Sequence, residues 1–170
     1  MMKSLSQIKI RKATKKDLDG IYQLFLELIK SEEVSAEKVA RFLRDIRKKR
    51  KDFEESSKKE LSKDICGKNS ILFVAEDKNE IIGYISGDIL KVKDPFFNPI
   101  ILGYLNHIII LKNYRGKGVS EKLYLELEKI FKKRKCTVCS LEVFSTNPAV
   151  KTFEKFGYKI TTHKMWKKLK

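Results

Sequence analysis

The fold is decided by one stretch, Leu105–Ser120, which reads LNHIIILKNYRGKGVS. Its first half is an apolar run rich in β-branched residues, which predicts a strand buried on both faces. A short basic loop with two glycines follows. Apolar residues then recur every four positions, which predicts the buried face of a helix; they are Val119, Leu123, Leu127 and Phe131. The stretch therefore predicts a strand, a glycine loop and a helix in direct succession.

The glycine loop and the helix start predict a binding site for a phosphate or pyrophosphate. The first N–H groups of a helix have no partner inside the helix, and the helix dipole is positive at that end. Gly116 and Gly118 let the backbone approach a ligand closely and adopt the positive φ angles that form a nest of N–H groups. Arg115 and Lys117 add positive charge.

Two common phosphate-binding patterns fit this loop poorly. The P-loop pattern G-x-x-x-x-G-K-[ST] fails because Gly116 and Gly118 are too close together. The dinucleotide pattern G-x-G-x-x-G matches both glycines, but Glu121 stands where the third glycine belongs. Glu142 could serve as its ribose-binding acid, yet no second βαβ half follows in the chain. The dinucleotide interpretation is therefore weak.

Length and cysteine content bound the class of protein. A chain of 170 residues fits one domain. No apolar run approaches the roughly 20 residues of a membrane span, and the N-terminus lacks the apolar region of a secretion signal, so we expect a cytoplasmic protein without membrane contact. Cys66, Cys136 and Cys139 are an odd number, which predicts no disulfide framework. The last two are three residues apart on a predicted strand and point to opposite faces, so we expect no metal site.

The formal net charge of +16 predicts attraction to something anionic, such as a phosphorylated ligand, an acidic substrate, nucleic acid or ribosomes. The alternative is a compositional bias, because abundant Lys, Glu and Ile are typical of heat-adapted proteins. We favour the bias, since no interleaved aromatic and basic pattern accompanies the charge.

Apolar periodicity predicts the remaining elements. In chain order they are a strand over 8–13, a helix from Leu18 that ends near Ser31, a basic helix from Ala36 that extends through Leu61, hairpin strands over 71–76 and 81–89, a strand over 136–144, a short helix with Asn147 as its N-cap, and one or two strands over 158–169. The loop over 93–99 carries Phe96 and Phe97, which either pack on the core or form a wall of a substrate pocket.

Several motifs resemble those of the GNAT family, the GCN5-related N-acetyltransferases. Arg115-x-x-Gly118-x-Ser120 resembles the family's acyl-CoA signature [QR]-x-x-G-x-[GA], with Ser in place of the last small residue. Asn147 followed by the segment 153–158, FEKFGY, resembles the family's N…Y-E-K-x-G-F ending. The resemblance covers essentially the whole chain. It implies a single GNAT domain over 1–170 and an α/β (α+β) fold, with a mixed central sheet of about six to seven strands and about four helices.

The resemblance also implies acetyl-CoA as co-substrate. The backbone of the loop would hold the CoA pyrophosphate, and the strand before it would bulge and hydrogen-bond the pantetheine arm, which enters where the fourth and fifth strands splay apart. The cofactor-binding residues that it implies are Ile108, Ile109, Ile110, Arg115, Gly116, Lys117, Gly118, Val119, Ser120, Asn147 and Phe153.

The family's reaction is direct attack of a primary amine, of a protein, peptide or small molecule, on the acetyl thioester. It needs a neutral amine, an N–H near Ile110 for the carbonyl oxygen, and a proton for the departing thiolate. Phe153 stands where the family often has the Tyr that supplies this proton. Tyr158 is expected to be structural, and Tyr124 is an alternative acid.

His107 is the candidate catalytic base, because a neutral imidazole accepts a proton near neutral pH and this residue lies beside the expected acetyl position. The alternative is a core histidine with a packing role. Glu76 and Glu142, acting through water, and His163 are further candidates.

The loss of the family Tyr keeps a second function open. It is a catalytically weak module that binds CoA, nucleic acid or ribosomes through its basic surface. The identity of the acceptor, acidic or not, and the oligomeric state, with a homodimer as one option, are left open by these residues.

Overall fold

The computed structural model of the chain describes residues 8–169. Five helices and five strands form in these residues. The helices are α1 (Leu18–Val39), α2 (Arg41–Asp45), α3 (Phe53–Cys66), α4 (Val119–Lys133) and α5 (Val150–Lys155); the strands are β1 (Lys9–Lys12), β2 (Ser70–Asp77), β3 (Glu80–Val92), β4 (Ile100–Ile110) and β5 (Val138–Ser140). Two compact units can be distinguished: the first holds residues 8–28 and 52–141, and the second holds residues 29–51 and 142–169.

The strands form one mixed sheet in the order β1-β2-β3-β4-β5. The first four strands pair antiparallel, and β5 runs parallel to β4. Lys78 and Asn79 join β2 to β3 with φ angles of 51° and 66°, the conformation that a tight hairpin turn requires. The predicted α/β fold with a mixed central sheet is confirmed, although the described residues hold five strands instead of six to seven.

The sheet of the first unit is covered on both faces. One face, the α1–α3 face, carries an apolar cluster contributed by both helices and the central strands; it includes Ile21, Tyr22, Leu61, Ile65, Leu72, Val74, Tyr84 and Ile109. The other face, the α4 face, packs against Phe131, whose ring lies 2.6 Å from the position that a Cβ on Gly103 would occupy. Gly87 meets the same ring, so small residues on β3 and β4 let α4 approach the sheet closely.

The helical region before the hairpin differs from the prediction. The first helix continues past Ser31 to Val39, since Ser35 Oγ donates to the Ser31 carbonyl at 3.0 Å and Glu32 pairs with Arg47 at 2.5 Å. The extension buries two small residues, Ser35 and Ala36, in place of a stripe of large apolar side chains, and its other residues are partly or fully exposed. The predicted basic helix is divided into α2 and α3, and the basic run 47–51 between them lies outside both helices. Five helices result instead of four.

The C-terminal third is less regular than predicted. The strand expected over 136–144 is limited to β5, because its parallel ladder with β4 ends at the pair Tyr104 and Ser140. Residues 158–169 were expected to form one or two strands, but they form neither a helix nor a strand. Without a neighbouring strand to accept their backbone hydrogen bonds, apolar side chains alone do not make a strand.

Smaller expectations can be checked in the described residues. Phe96 and Phe97 are 87% and 75% exposed, so the interpretation that they pack on the core is wrong. The three cysteines are free thiols. No helix within residues 8–169 is long and apolar enough to cross a bilayer.

Candidate active site

The second half of β4 has a strand partner on one side only. The parallel pairing with β5 covers only Leu102–Tyr104. In an antiparallel ladder, alternate residues turn their peptide groups towards the partner strand. Leu111 N–H donates to the Ile82 carbonyl on the β3 side at 2.8 Å, so by alternation the peptide groups of Ile108 and Ile110 point away from β3. These groups face the edge that β5 leaves unpaired, which we call the open edge.

A bulge in β4 immediately precedes this edge. Ser86 of β3 pairs with His107, whereas Gly87 pairs with Leu105, which leaves Asn106 as an extra residue. The bulge changes which residues face which side: Leu105 lies with Gly87 on the α4 face, and His107 lies with Ser86 on the α1–α3 face. The bulge therefore lies at Asn106, whereas the resemblance implied a bulge at Ile108, Ile109 and Ile110.

The loop after β4 has the geometry of an anion nest. Gly116 and Gly118 have φ angles of 71° and 74°, and no atom lies within 4 Å of a Cβ built on either residue. Gly118 is the N-cap of α4, and the first hydrogen bond of the helix runs from the Lys122 N–H to the Gly118 carbonyl at 3.1 Å. The N–H groups of the first turn before Lys122 thus lack helical partners and border open space.

The charged side chains of the loop are partly engaged. Arg115 Nε donates to the Ile110 carbonyl at 2.8 Å, which ties the loop to the end of the open edge. Lys117 Nζ lies 5.3 Å from the centre of the Tyr114 ring, and the Tyr114 hydroxyl donates to Asp77 Oδ2 at 2.7 Å. Arg115 therefore orients the backbone, while Lys117 presents its charge beside the nest.

His107 lies on the α1–α3 face among aromatic rings. Its ring centre is 5.4 Å from that of Phe25 and 6.1 Å from that of Tyr84. Burial lowers the pKa of His107 to about 4, and the negative charge of Asp88 offsets only part of this effect. The imidazole is therefore neutral at physiological pH, and the low pKa makes it a weaker base than an ordinary histidine. Its catalytic role stays a prediction.

The other candidate acids and bases have different surroundings. Glu76 forms a salt bridge with Arg11 at 2.6 Å. Glu142 is exposed and lies 3.3 Å from Lys164 Nζ. Tyr124 is buried on α4, and His163 is exposed in the second unit. None of these contacts singles out a second base.

Asn147 and Phe153 stabilise α5 in the second unit. Asn147 Oδ1 accepts the Ala149 N–H at 2.9 Å, although the N-cap itself is Ala149. Phe153 is 7% exposed, and its ring centre lies 6.1 Å from that of Tyr158. The Tyr158 N–H returns to the Phe153 carbonyl across Gly157, whose φ is 90°, which closes the helix in a Schellman motif. Their contacts with a cofactor stay a prediction.

Sequence reasoning missed two acidic residues, Asp88, whose charge acts on His107, and Asp64, whose pKa Asp88 affects. Asn106 Nδ2 donates to Asp88 Oδ2 at 2.8 Å across β3 and β4. Asp64 of α3 has its pKa raised to about 6, first by burial and then by the negative charges of Asp88 and Glu60. Asp88 and Asn106 are polar residues in otherwise apolar strands, and this pattern could have indicated a site. Asp64 on α3 is distant from them in sequence and gave no such signal.

Comparison with known proteins identifies the family. The sequence profile described as the Acetyltransferase (GNAT) family matches residues 37–158. The chain belongs to the GNAT family. No curated protein matches the sequence significantly.

Solved structures share the GNAT fold at low sequence identity. A tetramutant of the BH1408 protein from Bacillus halodurans has a TM-score of 0.77 at 18% identity, over 95% of this chain and 99% of the other. The aminoglycoside N-acetyltransferase AAC(6')-Iy in complex with CoA has a TM-score of 0.70 at 15% identity, over 95% and 94%. A predicted acetyltransferase from Clostridium acetobutylicum with acetyl-CoA has 0.69 at 17% identity, over 96% of both chains.

Proposed function

We propose that the protein is an N-acetyltransferase that transfers the acetyl group of acetyl-CoA to a primary amine. One observation carries this proposal: the single stretch Leu105–Ser120 supplies both the open edge of β4 and the nest at the start of α4. The two are joined by the hydrogen bond from Arg115 to the Ile110 carbonyl. Membership of the GNAT family gives independent support.

The residues present fit CoA along its length. Positive φ angles at Gly116 and Gly118, with open space beside both, suit a pyrophosphate held by backbone N–H groups. The Ile108 peptide groups and the Ile110 N–H on the open edge suit the amides of a pantetheine arm, which pair as an added strand would, while the Ile110 carbonyl accepts from Arg115. The family neighbours solved with CoA or acetyl-CoA support the same assignment.

The chain's own residues account for most of the chemistry that acetyl transfer needs. Acetyl-CoA supplies the activated acyl group as a thioester. The amine nitrogen forms the new C–N bond, the C–S bond breaks, and the neutral His107 takes the proton that the amine loses. An N–H on the open edge, at Ile108 or Ile110, stabilises the carbonyl oxygen. Phe153 gives no proton, so the thiolate is protonated by solvent.

The first test measures cofactor binding and turnover separately. Acetyl-CoA should raise the midpoint of thermal unfolding, because a ligand that binds only the native state stabilises it. Release of free CoA should follow when pooled primary amines are added. A shift without release would favour a binding module over an enzyme, and no shift would contradict the cofactor assignment.

A matched glycine pair locates the cofactor site. Gly118→Ala places a Cβ in the nest and should weaken acetyl-CoA binding at least about tenfold, because the left-handed backbone is strained and the N–H groups move. Gly157→Ala is the control, since it imposes the same strain at φ 90° on the end of α5. Equal affinities in the two variants would contradict the placement of the pyrophosphate.

The second candidate function is a non-catalytic module with a basic surface. Phe153 stands where the family often has a Tyr that supplies a proton, and this replacement favours the non-catalytic module. The ion pairs of Arg44 with Glu37 and of Arg47 with Glu32 count against it, because they neutralise part of the basic surface. RNA binding that acetyl-CoA does not compete away, in a protein that releases no CoA, would support this candidate.

A further inference from the structure

Five polar side chains gather on the α1–α3 face of the sheet, beside the bulge in β4. We call them the polar cluster: Asp64, Ser86, Asp88, Asn106 and His107. Ser86 and Asp88 follow Tyr84 at steps of two residues on β3, so all three share this face. His107 is opposite Ser86 in the register and contacts the Tyr84 ring.

The last turn of α3 brings Asp64 towards Asp88, because α3 ends four residues before Ser70 and Ser70 is opposite Asp88 in the register of β2 and β3. The Asn106 amide holds one oxygen of Asp88 at 2.8 Å. Asp64 comes one residue before the buried Ile65 of α3, which packs in the apolar cluster of this face. The charge of Asp88 acts on both Asp64 and His107. Neither carboxylate forms a salt bridge with any residue in the part of the chain that the structure describes.

Two buried polar atoms of the cluster have no hydrogen-bond partner within residues 8–169. They are Ser86 Oγ, on a residue that is 1% exposed, and His107 Nδ1. Unpartnered buried polar groups are rare and costly, so such atoms indicate a group that the protein itself does not supply. Ser86 lies on the same face as Tyr84 and Asp88 and is opposite His107 in the register, so its side chain belongs to the cluster.

The donor set is suited to a cation. Carboxylates, a hydroxyl, an amide oxygen and a neutral imidazole accept hydrogen bonds, and an ammonium group donates three. The chain as a whole carries a net charge of +16. The sign of the charge at this pair of carboxylates is therefore opposite to that of the chain. The charge of this site is therefore a local property of α3 and β3.

A cation held by these carboxylates would differ from the amine that reacts. A negative charge beside an amine raises its pKa and keeps it protonated, which opposes attack on a thioester. His107 directly precedes Ile108, whose peptide group lies on the open edge, so the cluster is next to the expected acetyl position. An acceptor with a second amino group, a few bonds from the reacting amine, satisfies both conditions. Its charged group contacts the carboxylates, and its reacting amine lies near the acetyl position.

We infer that the polar cluster binds the acceptor, and that the acceptor is a diamine or polyamine whose second, charged amino group lies between Asp64 and Asp88. This inference rests on the proposed acetyl transfer for the identity of the reacting group. It differs from the acidic acceptor that net charge alone suggested. Asp64 and Asp88 are then specificity-determining residues, and His107 faces the amine that is acetylated.

The binding test uses 1,4-diaminobutane and butylamine, which have the same carbon chain and differ by one amino group. Calorimetric titration should give at least about tenfold tighter binding of the diamine, because a charged hydrogen bond contributes about that factor. Asp64→Asn should remove this preference. Glu55→Gln, an exposed site on the same helix with the same change in charge, should keep it.

The turnover test uses the same amines with acetyl-CoA. Asp64→Asn should raise the KM for the diamine about tenfold, since a charged contact is lost, and should lower the ratio of kcat/KM for the diamine to that for butylamine by about the same factor. Glu55→Gln should keep this ratio. Asp88→Asn is a second variant that keeps an oxygen for Asn106; its fold is checked by thermal unfolding.

The outcomes separate the two proposals. Equal binding of diamine and monoamine to the native protein, or a preference that survives in Asp64→Asn, would overturn the inference. Absence of CoA release with every amine would instead overturn the proposed acetyl transfer, and the binding titration would still decide whether the polar cluster is a cation site.

Discussion

The first unit contains two groups of carboxylates with opposite electrostatics. In the first group, Arg11 donates from its two terminal nitrogens to Asp17, at 2.8 Å each, and from Nε to Glu76 at 2.6 Å. The guanidinium lowers the pKa of Asp17 to about 2. In the second group, neither Asp64 nor Asp88 forms a salt bridge with a residue in the range 8–169, and the pKa of Asp64 is raised to about 6, first by burial.

This difference distinguishes carboxylates that hold the fold from carboxylates that can hold a ligand. Asp17 also accepts from the Thr14 N–H at 2.7 Å and fixes the start of the helical segment, so its charge is satisfied by the protein. The charge of Asp64 is disfavoured in the fold, because Lys63 offsets only part of the effect of burial and of the negative charges of Asp88 and Glu60. The comparison can be tested by removing one charge from each group.

The largest effect is expected for Asp17→Asn. The variant should lose about 3 kcal/mol of stability at neutral pH, because a bidentate, largely buried pair with Arg11 is broken. Urea unfolding measures the loss. Since the folded-state pKa is lowered, this stabilisation is present above pH 3.8 and is lost as the pH falls towards 2. Asp19→Asn, an exposed site nearby, should cost little; equal losses would contradict the structural role of the pair.

A smaller effect is expected from His107 as the pH falls. Its folded-state pKa is lowered from 6.5 to about 4, so the unfolded chain binds a proton that the folded chain does not. Stability should therefore decrease from pH 8 to pH 5, by about 2 kcal/mol from this group.

Unfolding of the His107→Gln variant at several pH values tests the assignment. The decrease should become shallower in this variant, whatever its absolute stability. His163→Gln, an exposed histidine, is the control and should keep the slope of the native protein. A slope that His107→Gln leaves unchanged would contradict the neutral buried imidazole.

Asp64→Asn should change stability in the direction opposite to Asp17→Asn. The folded-state pKa of Asp64 is raised, so its favourable contribution is complete below pH 3.8 and is lost as the pH rises through about 6. At neutral pH the variant should be more stable than the native protein by less than about 1 kcal/mol, because solvent screens this partly exposed group. Thermal unfolding beside Glu55→Gln measures the gain, and a loss of stability would contradict the comparison.

The smallest effect is expected for Ser86→Ala. Removing a buried hydroxyl without a partner should leave stability within about 0.5 kcal/mol of the native value or raise it. Ser35→Ala is the matched control, because Ser35 is also buried but donates to the Ser31 carbonyl. A clear loss at Ser86 alone would show that its hydroxyl has a structural partner.

The sequence predicted those parts of the fold that depend on neighbouring residues. The hairpin turn at Lys78 and Asn79 and the glycine loop before α4 are determined by backbone conformations that few residues adopt, and both form as predicted. The buried face of α4 follows from its period, and Val119, Leu123, Leu127 and Phe131 are all buried.

The parts that were missed depend on contacts between distant residues. The length of α1 is supported by ion pairs with residues beyond α2, and the short β5 reflects where its ladder with β4 ends. Asp64 and Asp88 are 24 residues apart in the sequence, and each alone resembles an ordinary surface acid. Only the packing of α3 on β2, whose Ser70 is opposite Asp88, brings their charges together.

The extra residue at Asn106 has a consequence for how this chain tolerates changes in length. Deleting it would remove the bulge and make Leu105 and His107 neighbours, which would keep the opposite faces that they already occupy. The base candidate would stay on the α1–α3 face, and Asp88 would lose the amide that donates to it. Insertions in the exposed loop over 93–99 would leave both residues in place. The bulge thus adds a side chain to the site without exchanging the faces of its neighbours.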